Sequence, residues 1–148
     1  MYTALPPISQ SWPSEVFVGW GGEEGVGVAS GLGTYLDGTG NFRCFVARNI
    51  APGLEELEEI VSSLASSDIA VMVVTKNTFR SRRWRDELNF AYRRRIPILP
   101  YVAEGSPLPS LLDYMDLQRM KFDIDNPSST YPEVARFIPI LMNARRRA

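Results

Sequence analysis

Apolar and polar positions along this chain fall into two alternating rhythms. Short apolar runs at Glu15 to Trp20, Phe42 to Ala47, Ile69 to Thr75, Ile96 to Val102 and Met120 to Ile124 predict strands. Between them, apolar residues recur at helical spacing: Val28, Leu32, Tyr35 and Leu36; then Leu54, Leu57, Val61 and Leu64; then Trp84, Leu88, Ala91 and Tyr92. Leu108 to Leu117 predicts a short helix, and Tyr131 to Asn143 a closing helix that Pro139 should kink or shorten. Gly27, Gly31 and Gly33 make the first helix a weak one that depends on packing. Glu55, Glu56, Glu58 and Glu59 suit the N-terminal end of the second, where the helix dipole favours negative charge. Ile69 to Thr75 is apolar and β-branched, as a strand covered on both faces requires. Pro97 and Pro100 place the fourth strand near an edge or a bend. Strands alternating with helices predict an α/β fold: a doubly wound, five-stranded parallel sheet with helices on both faces. Its site is expected along the carboxyl edge of the strands.

Composition narrows the chemistry. At 148 residues and 45% hydrophobic, the chain fits a single domain with a real core. That domain is expected over residues 14–143, between a flexible proline-rich segment 1–13 and a basic tail or truncated linker 144–148. A net charge of -1 argues against a nucleic-acid partner, which needs a positive excess. Histidine is absent, which removes Ser-His and Cys-His nucleophile pairs and histidine metal sites. The lone Cys44 excludes an internal disulfide and a multi-cysteine zinc site, and within a strand it reads as a buried, inert thiol. No apolar run is long enough to span a bilayer, and the first ten residues lack the pattern of a signal peptide, so a cytoplasmic protein without membrane contact is expected.

Three features could carry chemistry. The first is the glycine cluster Gly19-Trp20-Gly21-Gly22-Glu23-Glu24-Gly25 after the first strand. Glu24 stands where a dinucleotide loop needs its third glycine, and two glutamates would repel a pyrophosphate. The cluster reads better as a rim loop whose Trp20 either stacks on a planar ring or packs at the strand end. The second is Arg48-Asn49-Ile50-Ala51-Pro52-Gly53, either an ordinary connection or a recognition loop on a rigid scaffold. The third is Glu87. It borders the inward stripe through Trp84, Leu88 and Ala91, so it either faces the cleft, half-buried, or pairs with Arg83 or Arg94 in solvent. The arginines Arg80, Arg82, Arg83, Arg85 and Arg93 to Arg95 read as solvated helix surface.

Taken together, these segments resemble a TIR (Toll/interleukin-1 receptor) domain. EVFVGW resembles the family's first-strand box, with Gly19 and Trp20 in place of its Ser-Tyr pair. CFVARNIAPG resembles the second strand and its loop: Arg48, Ile50, Pro52 and Gly53 match, Asn49 stands for Asp, and Val46 takes the usual acidic place. SSDIAVMVVTKNTFRSRRWRDELNFA resembles the third strand and the helix ending Trp-Cys-x-x-Glu-Leu, with Arg83 on the tryptophan, Trp84 on the cysteine, and Asp86, Glu87 and Leu88 matching. IPILPYV resembles the fourth strand, and the likeness extends over roughly Glu15 to Ile140.

The resemblance implies a flavodoxin-like fold and a NAD+ glycohydrolase or cyclase that cleaves the nicotinamide–ribose bond. It implies NAD+ as substrate, with neither cofactor nor metal. Glu87 would be catalytic; Trp20, Gly21, Arg48 and Trp84 would hold NAD+, Arg48 at the cleft rim or on the phosphates. It further implies activation by self-association with other TIR domains, as a filament docked through the loop Arg48 to Gly53, together with a sensor domain or protein, in immune or antiviral defence. The alternative is an adaptor without enzymatic activity that acts through TIR–TIR binding.

Overall fold

The computed structural model describes residues 13–47, 54–108, 110–115 and 117–147. Its strands are β1 (Ser14–Gly19), β2 (Phe42–Val46), β3 (Ile69–Val74), β4 (Ile98–Ala103) and β5 (Met120–Phe122). Its helices are α1 (Glu23–Gly38), α2 (Leu54–Ala65), α3 (Arg82–Arg93), α4 (Ser110–Met115) and α5 (Tyr131–Arg147). All four strand pairings are parallel, in the order β2-β1-β3-β4-β5. This is the flavodoxin-like order, in which the winding reverses between β1 and β3 and opens a crevice at their carboxyl ends.

Strand alternation sorts the core into two layers. Val16 and Val18 of β1 join Val28, Leu32 and Leu36 of α1 and Val134 and Ile138 of α5 in one apolar cluster. Phe17 joins Met72 and Val74 of β3, Ile60 and Leu64 of α2, Trp84 and Leu88 of α3 and Leu112 of α4 in the other. Every residue of β3 is buried, as its unbroken apolar run requires.

Several sequence expectations are corrected. β4 is an interior strand, flanked by β3 and β5. The short β5 pairs with it only from Tyr101 onward, so Pro100 meets no ladder on that side and its missing N–H is tolerated. Pro139 does not shorten α5, which continues to Arg147. It lies on the exposed face, where the carbonyl it frees can turn toward water. The ARRRA segment, expected as a flexible tail, is instead the last turn of α5 through Arg147. The expected N-terminal segment lies outside the described residues except for Pro13. Tyr35 and Tyr92 are exposed at the borders of their stripes, and Leu57 and Val61 do not face the core. Cys44 is half-buried, and burial followed by the charge of Asp37 pushes its thiol pKa up to about 12, which keeps it inert.

Packing requires glycine at only some positions of α1. A Cβ at Gly31 would lie 2.7 Å from the Tyr131 hydroxyl, which donates to the Val28 carbonyl at 3.2 Å. A Cβ at Gly27 would meet open space. Helix propensity alone would make both changes to alanine favourable. Gly31→Ala is therefore expected to destabilise by about 1–3 kcal/mol through overpacking, while Gly27→Ala stabilises by about 0.5–1 kcal/mol. Thermal melts of the two variants check this, and a gain from Gly31→Ala would contradict the α1–α5 packing.

Candidate active site

α3 begins at Ser81, whose extended backbone and side-chain oxygen cap the helix by accepting from the Trp84 N–H at 3.2 Å. The helical repeat then carries Trp84, Leu88 and Ala91 into the core, all three fully buried. Glu87 borders that stripe and is only 5% exposed. Gly19, at the end of β1, makes room for it: a Cβ there would lie 3.1 Å from Glu87 Oε1 and 2.7 Å from the Met72 sulfur.

Neither carboxylate oxygen of Glu87 has a hydrogen-bond partner among the described residues. Arg83, one turn earlier, approaches with Nε 3.7 Å from Oε2, which is a Coulombic contact and too long for a hydrogen bond. Arg83 Nε is itself without a hydrogen-bond partner among the described residues. Burial therefore dominates. It pushes the Glu87 pKa up to about 8; Arg83 opposes the shift and Asp86 adds to it. The Arg83 guanidinium also lies over the Trp20 ring, 4.8 Å from its centroid.

Trp20 is anchored at the same edge. Its indole N–H donates to the Ala47 carbonyl at 2.8 Å, tying the ends of β1 and β2. A second set of bonds fixes the loop that follows. The Thr78 hydroxyl donates to the Gly21 carbonyl at 3.0 Å and accepts from the Thr75 N–H at 2.7 Å. Glu24 Oε1 accepts from the Thr75 hydroxyl at 3.0 Å and the Asn77 N–H at 2.9 Å. Burial works against the Glu24 charge, but backbone and side-chain donors outweigh it and hold its pKa below the usual carboxylate value. The glycine loop after β1 is thus occupied by the chain's own carboxylate, which leaves no cradle for a pyrophosphate at Glu24.

Between α2 and α3 lies a cavity of about 710 Å³. Leu57, Ile60, Val61 and Leu64 form its α2 wall; Ser81, Arg82, Arg83, Asp86, Glu87 and Phe90 form its α3 wall; Trp20 completes the lining. Glu87 and Trp20, both expected at a site, meet here. Trp84, expected beside the substrate, is corrected: it has no exposed surface and belongs to the core, because the helical repeat aims it at the sheet. Gly21 is buried against Ser81 and Trp84 and sits behind the cavity lining. Arg48 and the loop Arg48-Asn49-Ile50-Ala51-Pro52-Gly53 lie outside the described residues. Trp20 also belongs to the core cluster under α1, so truncating it would remove core packing as well as cavity wall.

The apolar α2 wall was not anticipated. Leu57 and Val61 are 42% and 49% exposed, and the sequence stripe that contains them gave no sign that it splits between core and cavity. Among the described residues, no group of three or more His, Cys, Asp or Glu could hold a metal ion. No described helix is long and apolar enough to cross a membrane.

A flavodoxin-like domain with a buried carboxylate, Glu87, at its winding reversal is the class that fold and site define. The family model of the TIR domain matches residues 16–130, and the chain belongs to that family. No curated protein matches it. Among solved structures it is similar to the TIR domains in the structure of the activated Roq1 resistosome directly recognizing the pathogen effector XopQ. The TM-score is 0.53 at 15% identity, over 91% of this chain and 85% of that one, a likeness of fold.

The burial of Glu87 has a measurable consequence for stability. Its folded pKa, about 8, lies above that of the unfolded chain, so the folded state holds the proton more tightly. The carboxyl costs no stability at pH values below the unfolded pKa, and the penalty grows as pH rises toward the folded one. Glu87→Gln cannot ionise. It should melt roughly 5 °C or more above the parent at pH 9, with the gap closing toward pH 5. A gap that is the same at both pH values would mean that Glu87 is ordinarily solvated.

Proposed function

We propose that this TIR domain cleaves the nicotinamide–ribose bond of NAD+, releasing nicotinamide and ADP-ribose or a cyclic form of it. The observation that carries this reading is the buried carboxylate of Glu87, without hydrogen-bond donors among the described residues, in the wall of a cavity that Trp20 also lines. Such a group suits one task above others, the stabilisation of a cation brought into the cavity.

In the reaction, the bond from ribose C1′ to the pyridinium nitrogen breaks and its electron pair neutralises the ring. Nicotinamide departs as a neutral base and needs no general acid. The positive charge moves onto the ribose as an oxocarbenium-like cation. Glu87, ionised, faces that cation and holds the ribose hydroxyls, while Trp20 offers a stacking face to the ring or the sugar. Water then adds at C1′ and gives up its proton to solvent; an internal nucleophile gives the cyclic product instead. Arg48 is assigned to the phosphates or the cleft rim by its place in the family motif. The exposed side of the cavity, with Leu57 and Val61, favours activity in an assembled state, since excluding water strengthens the Glu87–cation attraction. Self-association through the loop Arg48 to Gly53, in an immune setting, is drawn from the family and from the likeness to resistosome TIR domains.

Nicotinamide release from NAD+, followed at increasing concentrations of the pure protein, tests the reading. Specific activity should rise with concentration, and Glu87→Gln should lower it by about 10² to 10³ while the fold stays intact. Turnover by the glutamine variant at the parental rate would exclude the mechanism. The absence of turnover at any concentration would favour an adaptor that acts by TIR–TIR binding.

The pH profile follows from the same residue. Only ionised Glu87 stabilises the ribosyl cation, so kcat/KM should rise about tenfold between pH 7 and 9, levelling off above about 8. Arg83 and Asp86 are the charged neighbours that act on Glu87, and the described α2 side chains that line the cavity are apolar. A flat profile through this range would show that Glu87 is already ionised in the free protein.

A further inference from the structure

Arg83 holds a position that neither surface packing nor the NAD+ reading accounts for. Its guanidinium lies over the Trp20 ring at 4.8 Å, while its Nε stands 3.7 Å from Glu87 Oε2. A flat, delocalised cation thus already occupies the space between the aromatic face and the carboxylate. The contact is imperfect, since Arg83 Nε and both Glu87 oxygens lack hydrogen-bond partners among the described residues. A well-made structural ion pair would satisfy these atoms; a movable occupant leaves them open. The Arg83 side chain is 23% exposed, against 5% for Glu87, so it has a route outward and the carboxylate does not.

We propose that Arg83 sets the affinity of this site by acting as an internal competitor: in the free protein its guanidinium stands in for a flat organic cation between Trp20 and Glu87, and it leaves when such a ligand stacks on Trp20. The ligand class is an aromatic cation of pyridinium type. A neutral ring gains stacking but cannot replace the charge that Glu87 loses, so Arg83 also disfavours neutral analogues. Naming the pyridinium of NAD+ as the natural occupant rests on the NAD+ reading; the competition itself does not.

The test therefore uses a ligand that is not cleaved. 1-Methylnicotinamide and neutral nicotinamide are titrated into the parent, Arg83→Met and Arg83→Ala, with the indole N–H signal of Trp20 as the probe. The titrations are run at pH 9.5 to favour ionised Glu87 in all three proteins. Arg83→Met keeps the bulk and removes the charge, whereas Arg83→Ala removes both. Both variants should bind the cation about tenfold more tightly than the parent, in line with the loss of one competing cation–aromatic contact. Nicotinamide affinity should change much less in Arg83→Met. Cation binding by both variants that is unchanged or weaker than in the parent overturns the proposal, as does an equal gain for the cation and the neutral ring in Arg83→Met. Should one variant fail to fold, the other decides the question. Tighter cation binding without NAD+ turnover would sink the catalytic reading and leave the competition standing. NAD+ turnover with unchanged cation binding would do the reverse.

Discussion

The docking of α3 on the sheet through Trp84, Leu88 and Ala91 is the constraint on which the site depends. These three residues are fully buried at helical spacing and fix the rotation of the helix about its axis. Once that rotation is set, Glu87 has no choice of environment, because its position borders the buried stripe. It is buried at a place where nothing among the described residues donates to it. Isolated, such a burial is unfavourable for a carboxylate, and packing of the neighbouring side chains outweighs it. The burial of Glu87 is thus imposed from behind by core residues that are not part of the cavity lining.

The carboxyl edge of the sheet is held stiff by a separate set of polar contacts. Thr75, Thr78 and Glu24 bind the loop after β1 to the loop after β3, and the indole N–H of Trp20 joins β1 to the end of β2. Three strand ends are thereby locked in register around the winding reversal. The same bonds explain why a glycine-rich turn here is not a phosphate loop. The carboxylate of Glu24 takes the backbone donor of Asn77 for itself. Glycine serves packing instead, since Gly19 clears space for Glu87 and Gly31 for Tyr131.

Most of the fold was legible because burial on two faces or on one leaves a periodic trace. The unbroken run of β3 and the stripes of α1 and α3 predicted their own positions, and element order then implied the parallel sheet. What failed to show was whatever depends on a neighbour. Pro97 and Pro100 argued for a place near an edge or a bend, but tolerance of the missing N–H at Pro100 is decided by how short β5 is. The stripe on α2 read as core, yet among its described residues Leu64 alone is buried, while Leu57 and Val61 are exposed in the cavity wall. Trp84 and Glu87 were both drawn to the site from one motif; a helix that packs through the first can present only the second. Arg83 looked like solvated surface, since sequence spacing pairs it with Glu87 but cannot reveal Trp20 arriving from β1.

That meeting of Arg83, Trp20 and Glu87 bears on why a single acidic residue could suffice for glycosidic cleavage. A neutral leaving group removes the need for an acid, so the requirement reduces to one negative charge and a face that tolerates a cation. Glu87 is costly to ionise while alone, and Arg83 offsets part of that cost in the free protein. A cationic substrate that displaced Arg83 would restore the same balance, positive charge for positive charge. The carboxylate would then have a cation beside it in both states, Arg83 in the free protein and the substrate when bound, without any dedicated switch. On this view the arginine in the place of the family's tryptophan is compatible with the chemistry. It changes what the substrate must displace, while the carboxylate it must meet is the same.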